Sequence, residues 1–379
     1  MIAEKQILLK NNSKINLIEP KENYRSENHI KIVEDKQSMI YFDNAATTPP
    51  SENVKNDIKN NLDNFGNPSS IYSIGFKSKE IIENARKKVA ECINCKPTEV
   101  FFTSGASESN TWALQDLFWC NPFEHHSILN NPNKVYKTRD AYIITCMLVN
   151  NELGINFTDY LAELRQKSSK QIHCDATQAI GTLDVDVQKL GVDTMSFSGH
   201  KFHAPKGTGV LYIKEGIELP RMIYGGKQES GLRGGTENIL GISALGVAIQ
   251  DAYNNLEKKN QHCEHLKNVF LNKLKHYWSL DYEINATEYD TVPNIISFSL
   301  KDVESEPILT QLDLENIYVS SGSACNTGTL EPSETLKWYD IPEDYINGTI
   351  RVSFDLENTE EEIDIFLHKL AEIVKRVKN

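Results

Sequence analysis

Between residues 81 and 213, short apolar runs alternate with segments of helical periodicity. That alternation constrains the fold more than any other feature of the chain. Ile81, Ile82, Ala85, Val89, Ala90 and Ile93 recur at helical spacing. The run Val100–Thr103 ends in Ser104-Gly105-Ala106-Ser107, and ESNTWALQDLF then has a helical pattern. Residues 142–149, 172–174, 194–197 and 210–213 are buried-strand candidates, separated by helical or turn segments. Strands alternating with helices predict an α/β fold whose sheet is mostly parallel and covered on both faces. From about residue 243 come two long helical patterns, near 243–256 and 260–277. Strands at Ile295–Leu300 and 350–354 and an amphipathic helix from Glu360 complete a smaller α+β unit. With 379 residues, the chain is longer than one core usually organises. The expected division is an extension at 1–38, a ligand-binding large domain at 56–256, and a small domain made of 39–55 and 257–379.

Apolar residues at 39% and charged residues at 25% exclude wholesale disorder. A net charge of −13 argues against a nucleic-acid-coating protein and a polybasic membrane binder. No stretch approaches the ~18 apolar residues of a spanning helix. The apolar run from Ile7 to Leu9 is too short for a signal-peptide core. The expected location is therefore the cytosol, where seven scattered cysteines are free thiols. Residues 1–38 are polar and read as an appendage with two short alternating segments, 14–18 and 29–33.

Three motifs stand at strand ends. Ser198-Gly199-His200-Lys201 follows TMSF, and burial there makes a lysine amine nucleophilic toward an aldehyde. Asp175-Ala176-Thr177-Gln178 follows QIHC, where open α/β sheets bind ligands. The segment 103–108 joins strand to helix, and the backbone N–H groups of such a start cradle phosphate. Each motif alone has a plain alternative: a surface lysine, a helix N-cap, any capped helix start. Together they supply the three handles of pyridoxal 5'-phosphate: a phosphate cradle, a carboxylate for the ring nitrogen and a lysine for the aldehyde.

The motifs YFDNAATTPP, FGNPSS, FFTSGASESN, EHHS, VNNELG, HCDATQ, MSFSGHK, GLRGGTEN, SSGSAC and IRVSF lie between Tyr41 and Phe354, within a resemblance that covers about residues 39–379. Through them the chain resembles the cysteine desulfurases that serve iron–sulfur assembly and tRNA thiolation. These are class V aminotransferase-like enzymes of fold type I. The resemblance implies a homodimer that converts L-cysteine to L-alanine and passes sulfur to an acceptor protein. It places His125 on the pyridine ring, Asn151 at the ring's phenolic side and the substrate, and Gln178 near that oxygen. Ala106, Ser107, Ser198 and His200 would hold phosphate, and Thr236 would reach the phosphate of a second subunit. Arg351 would clamp the substrate carboxylate. Lys201, with His125 nearby, would move the Cα proton. Cys325, among small polar residues, would be the nucleophile that takes the sulfur.

Other readings are a pyridoxal-phosphate lyase or aminotransferase without sulfur transfer, and a non-catalytic relative acting as an assembly partner. Cys92, Cys95 and Cys174 read as packing, and the helix carrying His262, Cys263 and His265 as a solvated face. The chain departs from the family at Tyr72, where His is usual, and at Asp355, where Gly is usual. It is also short between Ser107 and Asn151. Only 26 positions separate His125 from Asn151, and 130–142 has no room for a strand, a helix and another strand. A reduced sheet edge is expected there.

Overall fold

The expected alternation is realised in the structure, a computed structural model that describes residues 39–277, 280–321 and 333–378. The extension at 1–38 and Cys325 lie outside the described residues. After Ile40–Tyr41 (β1) come the helices Glu52–Asn61 (α1) and Ser73–Cys92 (α2). Val100–Thr103 (β2), Ala106–Ala113 (α3), Phe118–Cys120 (β3), His126–Leu129 (α4) and Ile143–Thr145 (β4) follow. Thr158–Lys167 (α5), Gln171–Asp175 (β5), Val187–Leu190 (α6), Thr194–Ser198 (β6) and Gly209–Ile213 (β7) complete the alternating part. Two long helices, Ile239–Asn254 (α7) and Leu256–Leu274 (α8), lead to Tyr282–Ile284 (β8), Ile295–Leu300 (β9), Ser305–Leu314 (α9), Ile317–Tyr318 (β10) and Ser320–Ser321 (β11). Glu334–Trp338 (α10), Glu343–Ile346 (α11), Thr349–Ser353 (β12) and Glu360–Val377 (α12) end the chain.

Among the described residues, one sheet of six strands has the order β2-β7-β6-β5-β4-β3. β3 to β6 are parallel, and β7 runs antiparallel to both β2 and β6. Side chains alternate across it. Val100, Phe102, Val210, Tyr212, Ile172, Cys174, Met195 and Phe197 face one core, which also takes α2 and α7. Phe101, Leu211, Ile213, Phe118 and Ile143 face a second, smaller cluster that includes Trp112 and Ala113 of α3. On β5 and β6 this α3-facing side is polar: His173, Asp175, Thr194, Ser196 and Ser198 are all buried.

A separate core holds β9, β12, α8, α9 and α12. Phe270 stacks on Phe366, and Phe42 meets Phe354 edge to face. β11, β12, β9 and β8 form its sheet. The segment after β1 runs beside β12: Asn44 Nδ2 donates to Ser353 O at 2.9 Å, and Ala45 N donates to Ser353 Oγ at 2.9 Å.

Three sequence expectations need correction. The helix expected through residue 118 stops at Ala113, and Phe118–Cys120 is the edge strand. The strand expected over 142–149 is only Ile143–Thr145. Cys146 and Leu148 still donate to β5 carbonyls, but the chain bends there toward the Val149–Asn156 bridge. Cys263 is not on a solvated face but fully buried in the α8 core. Between Asn130 and β4 the chain holds a 3-10 turn, Thr138–Asp140, and a single parallel bridge from Lys134 to Phe118, with no room for a strand, a helix and another strand.

Gly209 opens β7 directly under the start of α3, where a Cβ would lie 2.5 Å from Gly105 Cα. Gly209→Ala should cost about 1–3 kcal/mol through overpacking. It should also weaken phosphate binding at that turn. Urea denaturation and calorimetry with inorganic phosphate check both effects.

Candidate active site

The turn from β2 into α3 is built by its hydroxyls. Thr103 Oγ1 donates to Gly105 O at 3.2 Å and lies 2.7 Å from Ser109 Oγ, whose hydroxyl also reaches Val210 O at 3.1 Å. Glu108 accepts from Ser104 N at 2.9 Å and is paired with Arg233 at 2.9 Å. The turn therefore points the first N–H groups of α3, from Ala106 and Ser107, into a cavity of about 500 Å³. Ser198 and His200 border the same cavity.

The polar face of β5 and β6 forms its floor. Asp175 Oδ2 accepts from Asn110 Nδ2 at 2.8 Å, and Oδ1 accepts from Thr177 N at 2.9 Å. Asn110 Oδ1 accepts from His173 Nε2 at 2.9 Å and from Ser196 Oγ. His173 Nδ1 then takes the Thr194 hydroxyl at 2.9 Å. Burial pushes His173 down to about 4, so it is a neutral donor at Nε2. Among the described residues no cation pairs with Asp175. Glu124, fully buried, accepts from Thr145 Oγ1 at 2.8 Å. Burial, and then the Asp175 charge, push it up to about 8, which leaves it protonated at neutral pH.

Lys201 projects into the cavity, and its Nζ donates to Ala45 O and Ala46 O, each at 2.7 Å. His125 caps α4: its Nδ1 accepts from Ser127 N at 3.1 Å. Burial lowers its pKa, and Lys201 and His126 add to that against Asp175. The neutral ring thus carries its proton on Nε2. His200 Nδ1 meets Thr47 Oγ1 at 3.1 Å, and burial followed by Lys201 lowers it to about 4. Gln178 Nε2 donates to Ala45 O at 2.9 Å. Arg351, buried on β12, donates to Asn151 O at 2.6 Å and pairs with Asp43 at 2.7 Å, while its Nε is buried without a partner.

The structure thus brings Ala106, Ser107, His125, Asn151, Asp175, Gln178, Ser198, His200, Lys201 and Arg351 around one cavity. Thr236 is exposed and lies outside its wall. The sequence reading missed Asn110, His173, Glu124 and Thr177. His173 had a signal, because it stands two residues before Asp175 and so shares its face of β5.

The family described as aminotransferase class-V matches residues 40–137 and 117–366. The chain belongs to the aminotransferase class-V family. This class-V chain is 34% identical to a cysteine desulfurase IscS of Methanosarcina thermophila, over 92% of its own length and 95% of the relative's. It is 35% identical to one from Dictyoglomus turgidum, over 89% and 95%. Among solved structures it superposes on a NifS-like protein with a TM-score of 0.81 at 30% identity, covering 89% of this chain and all of the other. It also superposes on SspA in complex with cysteine with a TM-score of 0.72 at 27% identity, covering 84% of this chain and all of the other.

Two outcomes follow for the floor. Asn110→Ala orphans buried groups on His173, Ser196 and Asp175 and should cost about 1–3 kcal/mol for each one left unpaired. Chemical denaturation reads that loss. For Glu124, the unfolded chain releases its proton near 4.5 and the native chain near 8, so native stability falls as pH rises through that window. In the cofactor-free protein Glu124→Gln should remove this slope, and it should be more stable than the parent at the alkaline end. Guanidinium titrations at both ends of the window check it.

Proposed function

We propose that the protein is a pyridoxal-phosphate-dependent cysteine desulfurase. It converts L-cysteine to L-alanine and leaves the sulfur on Cys325 as a persulfide for an acceptor protein. The observation that carries this reading is the convergence on one cavity of Lys201, the α3 terminus and a buried Asp175 that no salt bridge neutralises among the described residues. The residues fit the cofactor: Asp175 suits a protonated ring nitrogen, the N–H groups after Gly105 suit a phosphate, and Lys201 suits an aldehyde. When bound, the cofactor supplies an electron sink for the charge that develops as the substrate Cα proton leaves.

The chain's own groups do the rest. Lys201 amine takes the Cα proton, held over the site by the carbonyls of Ala45 and Ala46. His125, with its proton on Nε2, is placed to donate rather than to abstract. Arg351, which lines the cavity, clamps the substrate carboxylate, and the Asn151 carbonyl and Asp43 orient its guanidinium. Cys325 follows Ser321 by four residues in the sequence, and β11 pairs Ser320 with Arg351. The Cys325 thiolate attacks the substrate sulfur: the Cβ–S bond breaks, an S–S bond forms, and Cβ gains a proton to give alanine.

The large core, with 56–256 and with Ala45 and Val54 of the segment before it, and the α8 core, with Ile40, Phe42 and most of 257–379, act as the two domains of this enzyme, in the cytosol. Exposed Ile71 and Phe76 share a cleft with Glu237, the neighbour of Thr236. That supports a second copy of the chain on this face, with Thr236 turned toward the second copy's phosphate.

Lys201 and Cys325 should fail differently. Lys201→Ala stops turnover before C–S cleavage. Cys325→Ser still binds L-cysteine and shifts the cofactor absorbance, yet yields neither alanine at an appreciable rate nor persulfide, because a serine hydroxyl is a far weaker nucleophile. Mass spectrometry of the Cys325 peptide alongside alanine assay reads both. Undiminished alanine from Cys325→Ser would sink the sulfur-transfer assignment in favour of a lyase or aminotransferase.

A further inference from the structure

Asp355 stands where the family usually has glycine, and nothing in the proposed reaction uses it. It follows β12 and is buried, as is Lys259 of α8. Asp355 Oδ2 accepts from Lys259 Nζ at 2.8 Å and lies 3.3 Å from His203 Nε2. The other ring nitrogen, Nδ1, lies 2.9 Å from the carbonyl oxygen of Pro49. A carbonyl and a carboxylate only accept, so the setting of both ring nitrogens favours a proton on each, the imidazolium form.

The charges around it favour that state. Asp355 and Lys259 are joined at the same cleft by Glu52 of α1, Asp251 of α7 and Glu357 after β12. Burial by itself would lower the His203 pKa. The hydrogen bond to Asp355 and its charge, helped by the Pro49 carbonyl, overcome burial and the Lys259 repulsion and raise it above the ordinary 6.5. Asp355 is correspondingly held far below the usual carboxylate range.

His203 is two residues past Lys201, on the same turn. Its φ is +71°, in the left-handed region, which a side-chain-bearing residue occupies at some strain. Its N–H is fixed by Thr48 Oγ1 at 2.7 Å, and Thr48 also bonds the carbonyl of His200, from N at 2.9 Å and from Oγ1 at 3.0 Å. The backbone of the lysine turn is therefore stitched to residues 48–49, and its side-chain tether runs to the α8 core.

We propose that His203 is a positioning residue: clamped as an imidazolium between the Pro49 carbonyl and the Lys259-held Asp355 carboxylate, it holds the turn that sets the position of the Lys201 amine. This rests on the reading of Lys201 as the cofactor's lysine. A neutral ring loses one of its two bonds and slackens the turn. The clamp is present below the unfolded-state value of the histidine and is lost as pH rises through its raised folded-state value.

The test uses the full chain loaded with pyridoxal phosphate. Nitrogen NMR of histidine-labelled parent, with His203 assigned by difference from His203→Gln, should show both its ring nitrogens protonated at pH 7.5. Cofactor release, followed by absorbance, should speed up in the parent as pH rises. In His203→Gln and Asp355→Asn release should be about tenfold faster at neutral pH, as loss of one charge-assisted bond implies, and flat with pH. The double variant should be no faster than either single one. Should His203→Gln fail to fold, Asp355→Gly replaces it, and the parent's nitrogens still report the clamp. A singly protonated His203 at pH 7.5, or folded variants whose release rate and pH profile match the parent's, overturns the positioning role alone. A parent chain that takes up no pyridoxal phosphate overturns the functional reading, and the role with it.

Discussion

A buried carboxylate that no salt bridge neutralises among the described residues organises this protein. Asp175 sits at the carboxyl end of a central strand, with one oxygen bonded to a backbone N–H and the other to Asn110. Such a group is costly unless its charge is met. The chain meets part of it with dipoles, and it suppresses competing charges nearby: His173 and His125 are driven neutral, and Glu124 is kept protonated. What remains on the floor of the site is the Asp175 carboxylate among neutral donors, which suits a cationic ring nitrogen, while Lys201 and Arg351 bring the positive groups to the same cavity.

The opposite wall comes from a different core. Arg351 is held on β12 by the phenylalanine cluster around Phe270, Phe354 and Phe366. The segment 43–48 joins the two parts of the site. Asp43 pairs with Arg351, the carbonyls of Ala45 and Ala46 hold the lysine amine, and Thr47 and Thr48 bond the His200 turn. A segment with almost no regular structure thus fixes the distance between the amine and the guanidinium, and Ser353 fixes that segment in turn.

β7 was legible because it is buried on both sides and reads as a continuous apolar run, and β5 and β6 because apolar residues alternate along them with buried polar ones. The residues at strand ends were legible because lysine, aspartate and a hydroxyl-rich turn are odd company for such strands. Phe118–Cys120 was not, since three residues at a sheet edge carry too short a pattern to separate from the preceding helix. Asn110 lies among helical residues and looks like surface until β5 is placed beneath it. Cys263, in His262-Cys263-Glu264-His265, gave a polar local pattern although it packs in the core with Leu266 and Phe270 of the same helix. In each case the deciding partner is far along the chain, as with Asn110 and Asp175.

The short edge has a consequence for His125. Between His125 and β4 the chain forms only a four-residue helix and a 3-10 turn. The position of the histidine depends on two side-chain bonds flanking it in sequence: Glu124 to Thr145 of β4, and Ser127 to Asn110 of α3. Both lead back to the floor around Asp175. Glu124 feels the Asp175 charge, and Asn110 bonds it directly. The residue expected over the cofactor and the residue expected beneath it are thus coupled through one polar network, so a change at Asp175 displaces His125 as well. A longer, independently packed edge would have kept the two apart.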